Sequence, residues 1–358
     1  MRTTIFLLMV YLGFAPALAL PATIWEQDMQ DAARAYEKGD YGEAERLWSQ
    51  ALEKAEKFGT RDRRVTTNMN NLAALYYIQG KYNKAEPLFE RALALLEELL
   101  GPNHLDVATD LNNLALVYVA QGRYAKAEPL HKRALVIWED SLGPDDPQVA
   151  TALNNLAGTY SAQGRYDKAQ LLYERALLIV KRSYGLGHLD VATSLNNLGN
   201  LYRIQGNYEK AVPVLEQALT ILITLRGAEH PDVGTDLNNL GLTYAAMGQY
   251  DRAEAFYKRA LAIWEEALGA DHPQVAIALN NLAGLYMVKR QYDDAESLYR
   301  RTLDIWEYAL GKDHPDVAMA LENYADLLRK TDRPAAARNA QSRADSIHAK
   351  RGRVEKPN

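Results

Sequence analysis

The side chains whose type and spacing suggest repeated chemistry are asparagines, paired every 42 residues at Asn70-Asn71, Asn112-Asn113, Asn154-Asn155, Asn196-Asn197, Asn238-Asn239 and Asn280-Asn281. A further copy, Glu322-Asn323, keeps the second amide. A carboxamide offers two N–H donors and a carbonyl acceptor, so it can pair with both polar groups of a peptide unit. Repeated at a fixed step, such groups hold an extended backbone while reading little of its sequence. Catalysis needs unlike groups converging on one spot. No Ser/His/Asp set, Gly-rich phosphate loop or metal-ligand cluster stands out from the repeat. The chain is therefore expected to be non-enzymatic and to need no cofactor or metal.

His104, His188, His230, His272 and His314 also recur, with Asp146 at the same place in another copy. Zinc–nitrogen bonds are about 2.1 Å, whereas packed neighbouring helices lie roughly 8–10 Å apart. Equivalent imidazoles of adjacent units do not converge, so capping or loop hydrogen bonding is expected of them. His131 stands where other copies have Tyr173, Tyr257 or Tyr299, and Trp138, Trp264 and Trp306 share another place. Both sets are predicted to pack in the core. Glu128 and Glu254 read as solvated helix positions.

One unit, Val107 to Gln148, shows what must position these residues. Leu111, Leu114, Ala115 and Tyr118 fall on one helical face, and Gly122 supplies a left-handed C-terminal stop. Tyr124, Ala127, Leu130, Ala134, Leu135 and Ile137 form the stripe of a second helix, closed by Leu142-Gly143. Asp146-Pro147 then reads as a cap followed by proline at the first helical position. Each unit is an amphipathic helix pair that cannot hide its second face alone, so stability must come from stacking on its neighbours. Arg290 replaces the glycine found at Gly80, Gly122, Gly164, Gly206 and Gly248. Pro87, Pro129 and Pro213 predict a late helix start or a mild kink.

These spacings resemble the tetratricopeptide repeat family, with Leu111, Leu114, Ala115, Tyr118, Ala127 and Ala134 at the positions its pattern reserves for packing. The 42-residue period, with LNNLA, QGRY, KAE, LGADHPQVA from Leu268 and LGKDHPDVA from Leu310, is similar to the kinesin light chain type over about Met69 to Val317. The resemblance implies an all-α fold, an α-solenoid built as a right-handed superhelix of stacked antiparallel helix pairs. It also implies that Asn71, Asn113, Asn155, Asn197, Asn239, Asn281 and Asn323 project into a concave groove as a ladder for an extended peptide.

In the Val107 unit that face carries Thr109, Asn112, Asn113, Leu116, Val119 and Ala120. The first amides, including Asn112, Asn154, Asn196 and Asn238, border the same groove and are also expected to bond neighbouring helices and hold the stacking angle. Specificity falls to the variable positions Ala74, Leu116, Gly158, Asn200, Leu242 and Gly284, then Tyr77, Val119, Ser161, Arg203, Ala245 and Met287. Arg203 is the one clear cation among them, so the groove suits an uncharged or weakly acidic segment.

At 358 residues, 48% of them hydrophobic, the repeat makes one long object with ample core. A formal net charge of −5, without a basic run before the C-terminus, gives no footprint for nucleic acid. Arg2, an apolar run from Ile5 to Phe14 and Ala17-Leu18-Ala19 read as a signal peptide over residues 1–19. Export to the periplasm or the exterior is expected, with no membrane insertion after cleavage. The chain holds no cysteine for a lipid anchor or a disulfide. The expected order is a shorter first pair over 20–60, six repeats over 61–317, a degenerate capping repeat over 318–350 and a disordered tail over 351–358. The segment from Pro334 to His348 has lost its apolar stripe. The leading expectation is an exported protein–protein interaction scaffold, monomeric without its partner. The alternative is a structural or assembly protein that self-associates or packs in an envelope complex.

Overall fold

The computed structural model describes residues 24–59 and 61–352 of the chain. The expected signal segment lies outside them, as do residues 353–358 of the expected tail. Among the described residues there are sixteen α-helices and no strand. They are α1 (Ile24–Glu37), α2 (Tyr41–Phe58), α3 (Arg63–Ile78), α4 (Tyr82–Leu100), α5 (Leu105–Ala120), α6 (Tyr124–Leu142), α7 (Pro147–Ala162) and α8 (Tyr166–Tyr184). The second half holds α9 (Leu189–Ile204), α10 (Tyr208–Arg226), α11 (Pro231–Ala246), α12 (Tyr250–Leu268), α13 (Pro273–Val288), α14 (Tyr292–Leu310), α15 (Pro315–Lys330) and α16 (Pro334–Gly352). None is long and apolar enough to cross a membrane. The chain divides into two compact units, one ending at Ile179 and one beginning at Val180.

Within each unit the same grammar holds. Odd helices from α3 to α15 have 16 residues and even helices from α4 to α16 have 19. The odd helices α1, α3, α5, α9, α11, α13 and α15 each pack on the even helix after them. Within each unit there is lighter packing of odd helices on the even helix before and on the next odd helix, as in α4 on α5 and α3 on α5. This is an α-solenoid arrangement. The odd helices start on side-chain caps. Asp146 accepts from the Gln148 N–H at 2.8 Å, and Nδ1 of His104, His188, His230, His272 and His314 accepts from the N–H two residues on at 3.0–3.3 Å. The recurring histidines are thus helix caps.

The odd helices end in paired backbone bonds around a left-handed residue. In α5 the Arg123 N–H donates to Tyr118 O at 2.8 Å and the Gly122 N–H to Val119 O at 3.0 Å, with Gly122 at φ 77°. Arg290 (φ 60°) and Asp332 (φ 57°) hold that conformation without glycine's freedom. Pro87, Pro129 and Pro213 lie inside α4, α6 and α10, whose first helical residues are Tyr82, Tyr124 and Tyr208. These helices do not start late; each continues past a residue that has no N–H to donate.

Core packing is set by a two-residue floor on the odd helix. Gly241-Leu242 lets the Tyr257 ring press against the glycine, where a Cβ would come within 2.6 Å of it. Ala157-Gly158 and Ala283-Gly284 reverse the order, and the hydroxyls of Tyr173 and Tyr299 reach the glycine instead. Trp264 and Trp306 are buried and donate through Nε1 to the carbonyls of Pro231 at 2.8 Å and Pro273 at 3.1 Å. With Trp138, also buried, they are packing residues. His131 is 1% exposed, and burial holds its imidazole neutral with a pKa near about 3. Sequence predicts that the last helix loses its stripe, but α16 buries Ala337, Ala340, Ala344 and Ile347 against the rest of the pair. The stripe survives in small residues, which hydrophobic pattern underweights.

Candidate peptide-binding face

The amides are first of all a lock between units. Asn155 Nδ2 donates to Asn112 Oδ1 at 2.9 Å, Asn239 to Asn196 at 2.9 Å, Asn281 to Asn238 at 2.7 Å and Asn323 to Asn280 at 3.1 Å. In each case the second Asn of one odd helix donates back to the first Asn of the odd helix before it. Two acids that sequence reasoning passed over join this row. Asn70 Nδ2 donates to Asp110 at 2.6 Å and Asn196 Nδ2 to Asp236 at 2.8 Å. Both carboxyls are buried, and burial pushes both pKa values up, that of Asp236 to about 8. They sit two residues before an Asn pair, where Ala152, Ala278 and Ala320 stand elsewhere. That contrast was the available signal.

Accessibility along this face is uneven. Asn71, Asn113, Asn155 and Asn197 are 7%, 1%, 4% and 2% exposed, so they are sealed between odd helices rather than lining an open groove. The first amides Asn112, Asn154, Asn196 and Asn238 are buried too, as are Ala74, Leu116, Gly158 and Asn200. The sequence places all these residues on one helical face but cannot tell how closely successive helices close over it. From α11 onward the face opens. Thr235, Asn239, Leu242 and Ala245 on α11 are half-buried, as are Ile277, Asn281, Gly284 and Met287 on α13. On α15 Met319 and Asp326 are exposed and Asn323 is half-buried. Each of Asn239, Asn281 and Asn323 spends one N–H on the lock, leaving the second N–H and the carbonyl oxygen to a partner.

Arg203, on α9, is also half-buried. Its Nε donates to Asn200 Oδ1 at 3.4 Å, and burial lowers its pKa while the Tyr257 and Tyr208 hydroxyls oppose that shift.

A second set of contacts overturns the reading of Glu128 and Glu254 as solvated positions. The tyrosine near the end of an odd helix donates to a glutamate of the preceding even helix: Tyr76 to Glu45, Tyr118 to Glu90, Tyr160 to Glu128, Tyr244 to Glu216, Tyr286 to Glu254 and Tyr324 to Glu296, all at 2.9–3.2 Å. Arg165 and Lys289 pair with Glu128 and Glu254 at 2.8 and 2.6 Å. Hydrogen bonds from Lys132 and Lys258, reinforced by those cations, hold both carboxyls down near about 2. The glutamates look exposed in a single helix because their partners come from the next unit.

Helix pairs of this kind, locked within each unit by buried amides, are matched by one family profile. The tetratricopeptide repeat profile fits residues 32–98, 64–135, 111–182, 172–224, 190–266, 232–290 and 274–344. The chain belongs to the tetratricopeptide repeat family. In period and motif its repeats resemble those of the kinesin light chain type. Among similar solved structures is BtubC (BKLC) from P. vanneervenii, 29% identical, covering 69% of this chain and 94% of that one with a TM-score of 0.51. Kinesin light chain nearly identical TPR-like repeats from Podosopora anserina are 26% identical, covering 57% and 97% with a TM-score of 0.47. A Rap protein complexed with Competence and Sporulation Factor shares the fold, at 16% identity and a TM-score of 0.53 over 92% and 99% of the two chains. A search of curated protein sequences finds no match. Tetratricopeptide arrays are interaction scaffolds, and protein–protein interaction is the general role this membership gives the chain.

Proposed function

We propose that the chain is an exported, non-enzymatic scaffold whose odd-helix face on α11, α13 and α15 binds an extended segment of another protein. The observation that supports this is the half-exposed row Asn239, Asn281 and Asn323, where the lock leaves polar groups unspent beside Leu242, Gly284 and Met287. Peptide groups of a bound strand can pair with those amides while its side chains meet the apolar positions. Export rests on the apolar N-terminal run and is checked by sequencing the N-terminus of the mature chain, expected at Leu20.

Two double variants separate binding from locking. Asn239→Ala with Asn281→Ala and Asn112→Ala with Asn155→Ala each remove inter-unit amide bonds. Only the first pair touches the open face. Binding of pooled nonapeptides, read by fluorescence anisotropy, is expected to weaken about tenfold in the first and stay unchanged in the second, with comparable losses of melting temperature. Equal effects on binding leave the amides as a lock alone.

Self-association is the second reading, favoured by exposed Val136 on α6 and Leu171 and Leu178 on α8. Light scattering across concentration decides it: a constant monomer mass removes it.

A further inference from the structure

Two polar groups of the second compact unit are left without a carboxylate or hydrogen-bond partner, respectively, among the described residues packed around them. They are the Arg203 guanidinium on α9, one odd helix before the open row, and the Tyr299 hydroxyl under Gly284 of that row. The first is Arg203. A guanidinium half-removed from water costs free energy unless it is paired, yet no carboxylate among the described residues bonds it, and Nε alone is engaged, by Asn200. Its counterparts in other units are Tyr77, Val119, Ser161, Ala245, Met287 and Arg329, so the equivalent positions hold no acid, and only Arg329 among them is a cation, paired with Asp326. The variable stripe beyond Asn200 runs uncharged through Leu242 and Gly284 to Asp326, which Arg329 already neutralises. The second feature is Tyr299. It is 2% exposed, its hydroxyl bonds nothing among the described residues, and it lies where a Cβ on half-buried Gly284 would meet it at 3.8 Å. A glycine mid-helix costs about 0.5–1 kcal/mol relative to alanine, and Ala74 occupies the same place in another unit. Bare backbone there lets another chain approach closely, down to a phenolic O–H that can donate.

Building on the open-face reading, we infer that the bound segment is acidic and has two anchors: a side-chain carboxylate seated on the Arg203 guanidinium, and a small residue crossing Gly284 whose backbone carbonyl accepts from the Tyr299 hydroxyl. From α9 to α13 is two odd-helix steps, about 20 Å at the usual helix spacing, which an extended chain spans in about six residues. A carboxylate also satisfies the two guanidinium nitrogens that Asn200 leaves free, and charge-assisted bonds of this kind are about twice as strong as neutral ones.

The test uses pools of N-acetylated, C-amidated nonapeptides built from Ala, Leu, Ser and Asn. One Asp is walked through the sequence, with Asn and Lys twins at the same place. On the full mature chain, Asp pools are expected to bind about tenfold tighter than their Asn twins. The advantage should be lost when Leu stands about six residues from the Asp. Arg203→Gln should erase the Asp advantage without weakening the Asn twins, and Arg203→Glu should shift preference to the Lys pools. Tyr299→Phe should weaken every pool severalfold with an unchanged melting temperature, because that hydroxyl bonds nothing in the free chain. Asp and Asn pools binding wild type alike, or an Asp advantage that survives Arg203→Gln, overturns the acidic anchor and leaves the open face standing. Binding unaffected by Tyr299→Phe overturns the second anchor. If no pool binds at all, the open face falls and both anchors with it.

Discussion

Asp236 is an acid stored in its neutral form. Burial, assisted by the charge of Asp232, raises its pKa from 3.8 to about 8 in the folded chain. The unfolded chain releases that proton near pH 4, so folding becomes less favourable as pH climbs from about 4 to about 8 and is indifferent to this group above that. Asp236→Asn keeps an acceptor for Asn196 and removes the titration. It is expected to flatten the pH dependence over this window and to raise stability at pH 8 by on the order of 1 kcal/mol or more, read by urea unfolding at pH 5 and 8. Arg290 offers a simpler test. Its φ of 60° is what glycine adopts in five equivalent turns, so Arg290→Gly should stabilise by about 1 kcal/mol. That strain was legible from sequence alone, since the glycine is missing from an otherwise regular place. The acids were not: Asp110 and Asp236 look like ordinary helix carboxylates until the neighbouring odd helix covers them.

At the scale of the helix, what matters is which partner a face meets. Gly241 lies under the Tyr257 ring, and Gly241→Ala puts a methyl within 2.6 Å of it. A cost of about 1–3 kcal/mol is expected in denaturant unfolding, although Ala115, Ala157 and Ala283 fill the same place elsewhere. The difference follows the neighbours: Ala157 and Ala283 are followed by glycine, and the Ala115 copy, though followed by Leu116, has His131 where Tyr257 stands. The junctions between pairs carry their own pH response. Glu254, held near about 2 by Lys258 and Lys289, contributes stability that is complete above pH 4.5 and lost as pH falls through 2. Tyr286→Phe with Glu254→Gln should shrink the loss of melting temperature between pH 5 and pH 2. Helix positions, lengths and caps could be read from the 42-residue period because they depend on neighbours in the chain. The glutamate junctions and the closing of the odd-helix face depend on neighbours in space, where the period repeats but the side chains do not.

For the molecule as a whole, the strict period is itself a physical constraint. Every lock joins residues 40 or 43 apart, as in Asn196–Asp236 and Asn155–Asn112. Removing one complete unit of 42 residues brings equivalent surfaces together again. Deleting residues 232–273 should therefore leave a shorter array that melts cooperatively, with helical signal reduced in proportion, whereas deleting 232–269 should not. Circular dichroism distinguishes them. The Asn–Asn bonds of the lock also have a sense of direction, because each of their donors looks backward to the preceding odd helix, while only the bonds to Asp110 and Asp236 run forward. The front member of a pair is needed only where another unit follows to call on it. At α15, the last odd helix described, that place is held by Glu322, which bonds His348 of α16 at 3.0 Å instead. A unit engineered to follow α16 would offer its amide to a carboxylate already engaged by His348 instead of to the carboxamide that receives the other Asn–Asn bonds, so Glu322→Asn should ease the seating of such an addition.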